Sequence, residues 1–583
     1  MPGKPSLLHR YVPILRWLPA YRRADLPRDL IAGVITAIML VPQSMAYAQL
    51  GGLPPQVGLY ATILPIATYA ILGTSGQLSV GPAAITSLAV LAGVSTLASP
   101  GSPRYLELVL LLTFLVGMIK VALGIFRMGA VLNFVSAPVL SGFLSAAAIV
   151  IAVSQLKHLL GFDVAGKGVF DQLYDAITHI GKTNPVTLAI AVASILTLIL
   201  FKSSAFKSLL KKLGASAKLR TLISSLSLLV VLVMATVLTA ALRLDVVAGV
   251  KTVGKIPAGL PPLTVPRLSL TDVQLLLPTA LTIVFIGVVE SISIAKALAS
   301  KHRQRIDPDQ ELIGLGAANL MASVTGAYPV AGGLARSVVN NEAGAMTGLA
   351  SLTTATMMAA MLLFLTPLFY YLPQSVLASI VVVAVAGLFD LHEAKRLYHL
   401  QRSDFLTWLA TFATTIAFNI EIGILAGVVI SLLLYLWRSS RPKIAEIGRI
   451  PGTQIFRNVK HYETQTSDSV VALRMDESLY FANAHYLEDR VLEIVAARPA
   501  VRHLILHCSP INNVDTTAIE VLHALYGELR DAGVELHLAS VKRWVLESLG
   551  QSGFVELIGR DHIHRSMDEA LKAIEEKGAI SDR

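Results

Sequence analysis

Among 583 residues there is a single cysteine, Cys508. One thiol excludes an intrachain disulfide, and with it any zinc or iron–sulfur site that needs several cysteine ligands. Charge is scarce as well: Asp, Glu, Lys and Arg make up 15% of the chain, where a soluble globular domain carries about a quarter. A chain so poor in charge and 54% hydrophobic must place most of its length in a bilayer. No complete Walker loop, with its Ser or Thr after the lysine, is present, so ATP-driven transport has no support. The fourteen histidines show no HExxH or other metal spacing. No metal and no cofactor is therefore expected, and no enzymatic activity. The net charge of +10 does not imply nucleic acid, because the basic residues fall mainly between apolar runs, as in cytoplasmic membrane loops. The basic segment 1–28 lacks the layout of a cleaved signal: prolines break its apolar run, and no small-residue cleavage site precedes the first long span.

What is present is a series of apolar spans. They lie near 29–50, 55–73, 82–99, 104–125, 131–155, 185–202, 220–242, 274–299, 309–325, 335–349, 351–371, 373–389, 404–420 and 422–437. Lys and Arg collect before the first span and after the fourth (Arg127), sixth (Lys211, Lys212), eighth (Arg303, Arg305), twelfth (Lys395, Arg396) and fourteenth (Arg438, Arg441). With fourteen crossings all of these lie on one side, which places both termini in the cytoplasm. The spacing predicts a helical polytopic membrane domain over 29–437, preceded by a cytoplasmic segment 1–28. A linker 438–459 and a cytoplasmic domain with its tail, 460–583, follow. An inner or plasma membrane is expected.

The two halves, about 29–242 and 274–437, look alike. VPQSMAYA at 41–48 aligns with VVESISIA at 288–295, matching Gln43 to Glu290 and Ser44 to Ser291. About 40 residues later each half has a broken segment, QLSVGPAAITS at 77–87 and YPVAGGLARS at 328–337. Seven spans separate the copies, and seven is odd, so the second copy is inverted. Inverted repeats with paired interrupted helices point to a secondary transporter whose site lies near the midplane.

The stretch from Tyr328 to Gly348 starts extended, with Pro329 and paired glycines, and turns into a helix carrying Arg336, Asn340, Asn341 and Glu342. Irregular backbone at membrane depth is tolerated only inside protein or along a cavity. A helix that starts there aims free N–H groups and a positive dipole end at that cavity, and an arginine in its first turn adds the same sign of field. This reads as an anion site; the plain alternative is a kinked helix with a snorkelling arginine. Pro82 suits the first helical position of the other broken segment. Glu290 is a carboxylate in mid-span, costly in a bilayer and so a functional residue by default. Arg336 fits the anion's partner, since a guanidinium matches oxyanion geometry, or a counter-ion to Glu290. Gln43 offers an amide that both donates and accepts, to a substrate or to a neighbouring helix. Tyr47 reads as a pocket wall.

From 460 onward short strands alternate with amphipathic helices. VVALRM (470–475), VRHLILHC (501–508) and VELHLAS (534–540) read as strands, with helices near 484–497, 516–531, 542–551 and 566–575. This alternation predicts an α/β sheet with helices packed on it.

PRDLIAGVITAIMLVPQSMAYA, GGLPPQVGLYATILP, GTSGQLSVGPAA, VVESISIAKA, YPVAGGLARSVVNNEAGAMT and the 470–575 region together resemble the SulP family of anion transporters, over nearly the whole chain. The resemblance implies fourteen spans as a seven-plus-seven inverted repeat with a core domain moving against a gate domain, a C-terminal STAS domain, and a homodimer. It implies a small anion as substrate, sulfate most typically, with bicarbonate, chloride, oxalate or dicarboxylates in some members. Carried over by position, the anion site falls on Gln43, Tyr47, Val80, Gly81, Pro82 and Ala83 in the first half. In the second it falls on Ala331, Gly332, Gly333, Leu334, Ala335 and Arg336. Three positions depart from the family pattern. Ala335 stands where a serine commonly precedes the arginine, and Met346 and Gly348 replace the basic residue and glutamine of GA(K/R)TQ.

In INNVDTTAIE (511–520), Asp515 and Thr517 match the acidic and hydroxyl positions of a phosphorylation turn, a regulatory site for a cytoplasmic partner. The same residues also suit a helix N-cap. A nucleobase permease would lack this STAS domain and Arg336, and a membrane-anchored signalling protein would leave the broken helices unexplained. For coupling, Glu290 favours a proton over sodium: Ile294, one turn on, offers no oxygen ligand. Sodium-coupled uptake, exchange and an uncoupled anion channel remain as alternatives.

Overall fold

The computed structural model describes residues 11–129, 136–166, 168–212, 217–301, 305–418 and 420–576. The first ten residues, the start of the span expected at 131–155, Arg303 and the tail from 577 lie outside the described residues. The chain divides into two compact units, Met1–Ile430 and Ser431–Arg583.

The first unit is helical. In chain order its principal helices are α1 (Leu26–Leu50), α2 (Pro55–Tyr60), α3 (Leu64–Leu72), α4 (Ala84–Val94), α5 (Pro103–Ile125), α6 (Ala137–Ser154), α7 (Pro185–Lys202) and α8 (Ala217–Leu242). They continue with α9 (Leu270–Lys301), α10 (Pro308–Val324), α11 (Leu334–Ala343), α12 (Leu349–Phe364), α13 (Gln374–Val385) and α14 (Arg402–Ala417), and with α15 (Ile420–Ser440), whose last residues, from Ser431, belong to the second unit. Proline occupies the first turn of α1, α2, α3, α5, α6, α7 and α10, where its missing N–H costs nothing and its ring presets φ. Each of the fourteen expected spans contains a helix, but the second is interrupted at 61–63, between α2 and α3. Among the described residues seven helical stretches are long and apolar enough to cross a bilayer singly, and shorter apolar helices, α4 and α12 among them, lie between them. Large apolar side chains such as Leu196, Val237 and Leu425 face outward, as a lipid-contacting surface requires.

Two polar anchors tie loops to the ends of α1 and α10. Asp29 accepts hydrogen bonds from the Met346 and Thr347 N–H groups and the Thr347 hydroxyl. Glu311 accepts from the Thr74 and Ser75 N–H groups, the Thr74 hydroxyl and the Tyr69 hydroxyl. Each buried carboxylate is thereby satisfied, which is the condition for keeping it inside. Small residues let helices close in: a Cβ on Gly117 of α5 would stand 2.8 Å from the Leu320 backbone nitrogen of α10.

The two broken segments meet as a short antiparallel pair, β1 (Val80–Gly81) and β2 (Ala331–Gly332), with Val80 opposite Gly332 and Gly81 opposite Ala331. α4 and α11 start directly after them.

The second unit is an α/β sheet of six strands in the order β4-β3-β5-β6-β7-β8. These are β3 (Ile444–Arg449), β4 (Phe456–Asn458), β5 (Val470–Met475), β6 (His503–His507), β7 (Glu535–Ala539) and β8 (Ile563–His564). β5 to β8 run parallel, while β3 is antiparallel to both neighbours. Its helices are α16 (Ala484–Ala497), α17 (Thr516–Asp531), α18 (Arg543–Gln551), α19 (Phe554–Ile558) and α20 (Met567–Glu576). Alternation along the strands splits the core. Leu473, Leu504 and Leu536 pack with α16 and α17, whereas Ala472, Ile505 and Ala539 pack under α20. β3 and β4 lie in the stretch read from sequence as a linker.

Candidate functional site

The β1–β2 pair is held by hydrogen bonds that cross between the two halves. The Gly333 N–H donates to the Ser79 carbonyl, and the Ser79 N–H donates to the Ser337 hydroxyl at 2.9 Å. Within the second half the Gly332 N–H donates to the Ser291 hydroxyl, and across the halves the Asn340 amide donates to the Gln77 carbonyl. These bonds satisfy the irregular backbone that the breaks expose inside the protein. They also fix the starts of α4 and α11, whose N-caps, Ala83 and Gly333, have no side-chain cap. No side chain caps the first N–H groups of either helix.

Those starts open on a cavity of about 360 Å³. Of the residues expected at the anion site, Gln43, Tyr47, Ala83, Gly333, Leu334, Ala335 and Arg336 line it, together with Glu290. Val80, Gly81, Ala331 and Gly332 do not; they form the strand pair behind it. Pro82 contributes its carbonyl, which accepts from one Nη of Arg336 at 2.6 Å. Ile380, Val383 and Val385 of α13 give the lining an apolar part. Pro42, inside α1 next to Gln43, breaks the helical hydrogen-bond ladder beside the cavity.

Arg336 is buried, yet its Nε and second Nη have no hydrogen-bond partner. One carboxylate oxygen of Glu290 and the Gln43 Oε1 are in the same condition. Among the described ion pairs none joins Glu290 to Arg336, so the geometry gives the counter-ion reading no direct contact. The room for that guanidinium depends on Gly333: a Cβ there would stand 2.6 Å from Arg336 Cζ. A cavity with one guanidinium, two helix starts, an amide and one carboxylate suits an anion rather than a metal ion.

Asn340 acts as a scaffold residue, and Glu342 is exposed at the cavity's edge. Lys120 is a further buried charge near these elements. This lysine of α5 is fully buried and its Nζ lacks a partner. It lies beside Gly287, where an added Cβ would be 3.3 Å from Nζ and 3.5 Å from the Ala331 Cβ. A single lysine within the apolar run of 104–125 was the available signal. In the second unit Asp515 is an N-cap: one oxygen accepts from the Ala518 N–H, starting α17, and the other from the Phe481 N–H. Thr517 is exposed in the first turn of that helix.

Comparison with known proteins matches residues 26–411 to the sulfate permease family and residues 461–570 to the STAS domain. The chain is 37% identical to "Sulfate transporter 4.1, chloroplastic" of Arabidopsis thaliana, over 96% of this chain and 82% of that protein. It is 32% identical to a probable sulfate transporter of Mycobacterium tuberculosis, over 95% and 96% of the two chains. Its fold superposes on the murine Solute Carrier 26 family member A9 anion transporter, in the inward-facing state, with a TM-score of 0.90 at 25% identity, covering 99% and 96% of the chains. The cavity at the crossing of two half-helices, the helical membrane unit and the STAS sheet therefore belong to an integral membrane anion transporter, not an enzyme, and the chain is a member of the sulfate permease family.

Proposed function

We propose that this protein carries sulfate, or a small oxyanion of like charge and shape, into the cytoplasm together with a proton. The carrying observation is the buried guanidinium of Arg336, with two free donors at a cavity where two half-helices begin and one Glu290 oxygen has no hydrogen-bond partner. The relatives named as sulfate transporters support the choice of anion. Transport proceeds by elevator-like alternating access, the part that holds both half-helices moving against a gate that includes the apolar wall of α13. A homodimer in the plasma or inner membrane, with both termini cytoplasmic and a STAS domain open to a regulator, completes the reading.

The coupling follows from charge. An arriving dianion engages Arg336 and adds negative charge beside Glu290; both changes favour a proton on the carboxylate. By linkage, that proton tightens anion binding by the same factor. The test measures sulfate affinity and uptake in proteoliposomes against pH, for wild type and Glu290→Gln, with and without sodium. Wild-type affinity is expected to rise as pH falls, and the variant's profile to be flat. A variant that keeps the full pH dependence, or a wild type driven by sodium alone, refutes proton coupling; uptake of bicarbonate or a dicarboxylate in place of sulfate refutes the substrate.

A further inference from the structure

The densest set of metal-ligating side chains among the described residues lies far from the cavity in sequence, within the α/β unit. The parallel register sets His503 of β6 opposite Glu535 of β7, and Ile505 opposite His537. Paired residues, and residues two apart on one strand, share a face of a sheet. His503, Glu535 and His537 therefore emerge together on the face that α20 covers. His564 of β8, aligned with Ala539, joins them there, and His562 enters from the turn just before β8.

The atoms converge on one point. His503 Nδ1 and His537 Nε2 are 3.3 Å apart. The same oxygen of Glu535, Oε2, is 3.5 Å from the first and 3.7 Å from the second. His562 Nε2 stands 3.6 Å from that oxygen as well. Three imidazole nitrogens thus surround one carboxylate oxygen at distances too long for good hydrogen bonds. A cation between them would account for the spacing. Ligands held about 2.0–2.1 Å from a tetrahedral zinc ion lie about 3.3–3.4 Å from one another, so the triangle needs to contract by only a few tenths of an ångström. The surroundings fit a metal site too. His537 Nδ1 is 3.2 Å from His564 Nε2, the outer contact that fixes a ligating imidazole's tautomer and leaves Nε2 to face the metal. The two ligating histidines are buried, while the Glu535 side chain is 51% exposed and gives the site its entrance.

We propose that His503, Glu535 and His537 form a transition-metal site of the zinc class, with the fourth position open to solvent on the exposed Glu535 side. Two imidazoles and one carboxylate suit zinc and its neighbours in the first transition row, and argue against calcium or magnesium, which take oxygen ligands. The bound ion ties β6 to β7 at their paired starts.

The test uses the full-length protein with any histidine tag removed, stripped by a chelator and titrated with Co²⁺ as a spectroscopic probe, then with Zn²⁺. One equivalent per chain is expected, with the strong visible absorption of four-coordinate Co²⁺, lost when Zn²⁺ is added. Glu535→Gln alters an exposed side chain and is expected to weaken binding by at least about tenfold. Glu535→Gln with His503→Gln is expected to abolish the signal. His485→Gln removes an exposed histidine that pairs with Glu488 on α16 and is expected to change nothing. Circular dichroism verifies that each variant is folded. Absence of stoichiometric binding, a six-coordinate Co²⁺ spectrum, or equal affinity in the wild type and the folded double variant would overturn the proposal.

Discussion

Arg336 and Gly333 make a pair whose two substitutions separate function from stability. Arg336→Ala removes two donors that have no partner inside the protein and one bond to the Pro82 carbonyl; with a single internal bond lost, the fold is expected to survive while sulfate affinity falls at least tenfold, since charge-assisted hydrogen bonds contribute about 1.5–3 kcal/mol. Binding to the purified protein and its thermal melt check both halves. Unchanged affinity in a folded variant would make the arginine structural. Gly333→Ala should act through the same atoms. Its Cβ meets the far end of the Arg336 side chain, 2.6 Å from Cζ, rather than backbone. A long side chain yields at small cost, so the expected outcome is a melt close to wild type with clearly weaker anion binding; a large loss of stability with normal affinity in the remaining folded protein would contradict it. Arg336 and Glu290 stood out in the sequence because a charge in an apolar run is conspicuous. Lys120 is as conspicuous in its own run, but no repeat partner or motif drew attention to it, and its place beside Gly287 and Ala331 comes only from packing between distant helices. Asp29 and Glu311 were invisible for the same reason: their partners lie in loops of the opposite half.

The elements that build the site are two half-helices and a two-strand bridge. Ser337, in the first turns of α11, donates its hydroxyl to the Gly333 carbonyl and accepts from the Ser79 N–H. Ser337→Ala strands a buried N–H across the seam between the halves, at a cost of about 1–3 kcal/mol. A lower melting temperature with slower transport is expected, and a melt identical to wild type would mean that the Ser79 backbone finds another partner. The breaks themselves were legible, since Pro82 and the Gly332–Gly333 pair mark where a helix cannot simply continue. Helix positions were legible through apolar runs and first-turn prolines; α7, α16 and α17 span 185–202, 484–497 and 516–531, as read from the sequence. The interruption at 61–63 was not, because the apolar composition runs straight through it. Nor were β3, β4 and β8. Two of these have only two or three residues, too few for a period-2 pattern, and all three are defined by pairing with strands remote in sequence. The histidine–glutamate cluster escaped a motif search on the same grounds: its ligands sit on different strands and become neighbours only through the parallel register.

At the scale of the whole molecule the two halves each supply one wall of the cavity, Gln43 and the start of α4 from the first, Glu290 and the start of α11 from the second. An inverted repeat makes a definite topological demand. Under the proposed topology of seven spans per half, the loop after α9 and the region before β5 would lie on the same, cytoplasmic side. The single cysteine makes this testable without first building a cysteine-free chain. Cys508 is buried, and burial pushes its thiol up to about 12, far above neutral pH. Since the thiolate is the reactive form, the native protein is expected to stay unlabelled by maleimide. Ser300→Cys at the exposed end of α9 and Ser467→Cys in the loop before β5 then report their own sides. Both are expected to react with a membrane-impermeant maleimide only after the cells are opened. If only one of the two labels from outside in intact cells, an odd number of crossings separates them, the second half cannot hold seven spans as an inverted copy of the first, and the two half-helices would have to meet by some route other than a repeat symmetry; if both label from outside, the proposed cytoplasmic side is reversed.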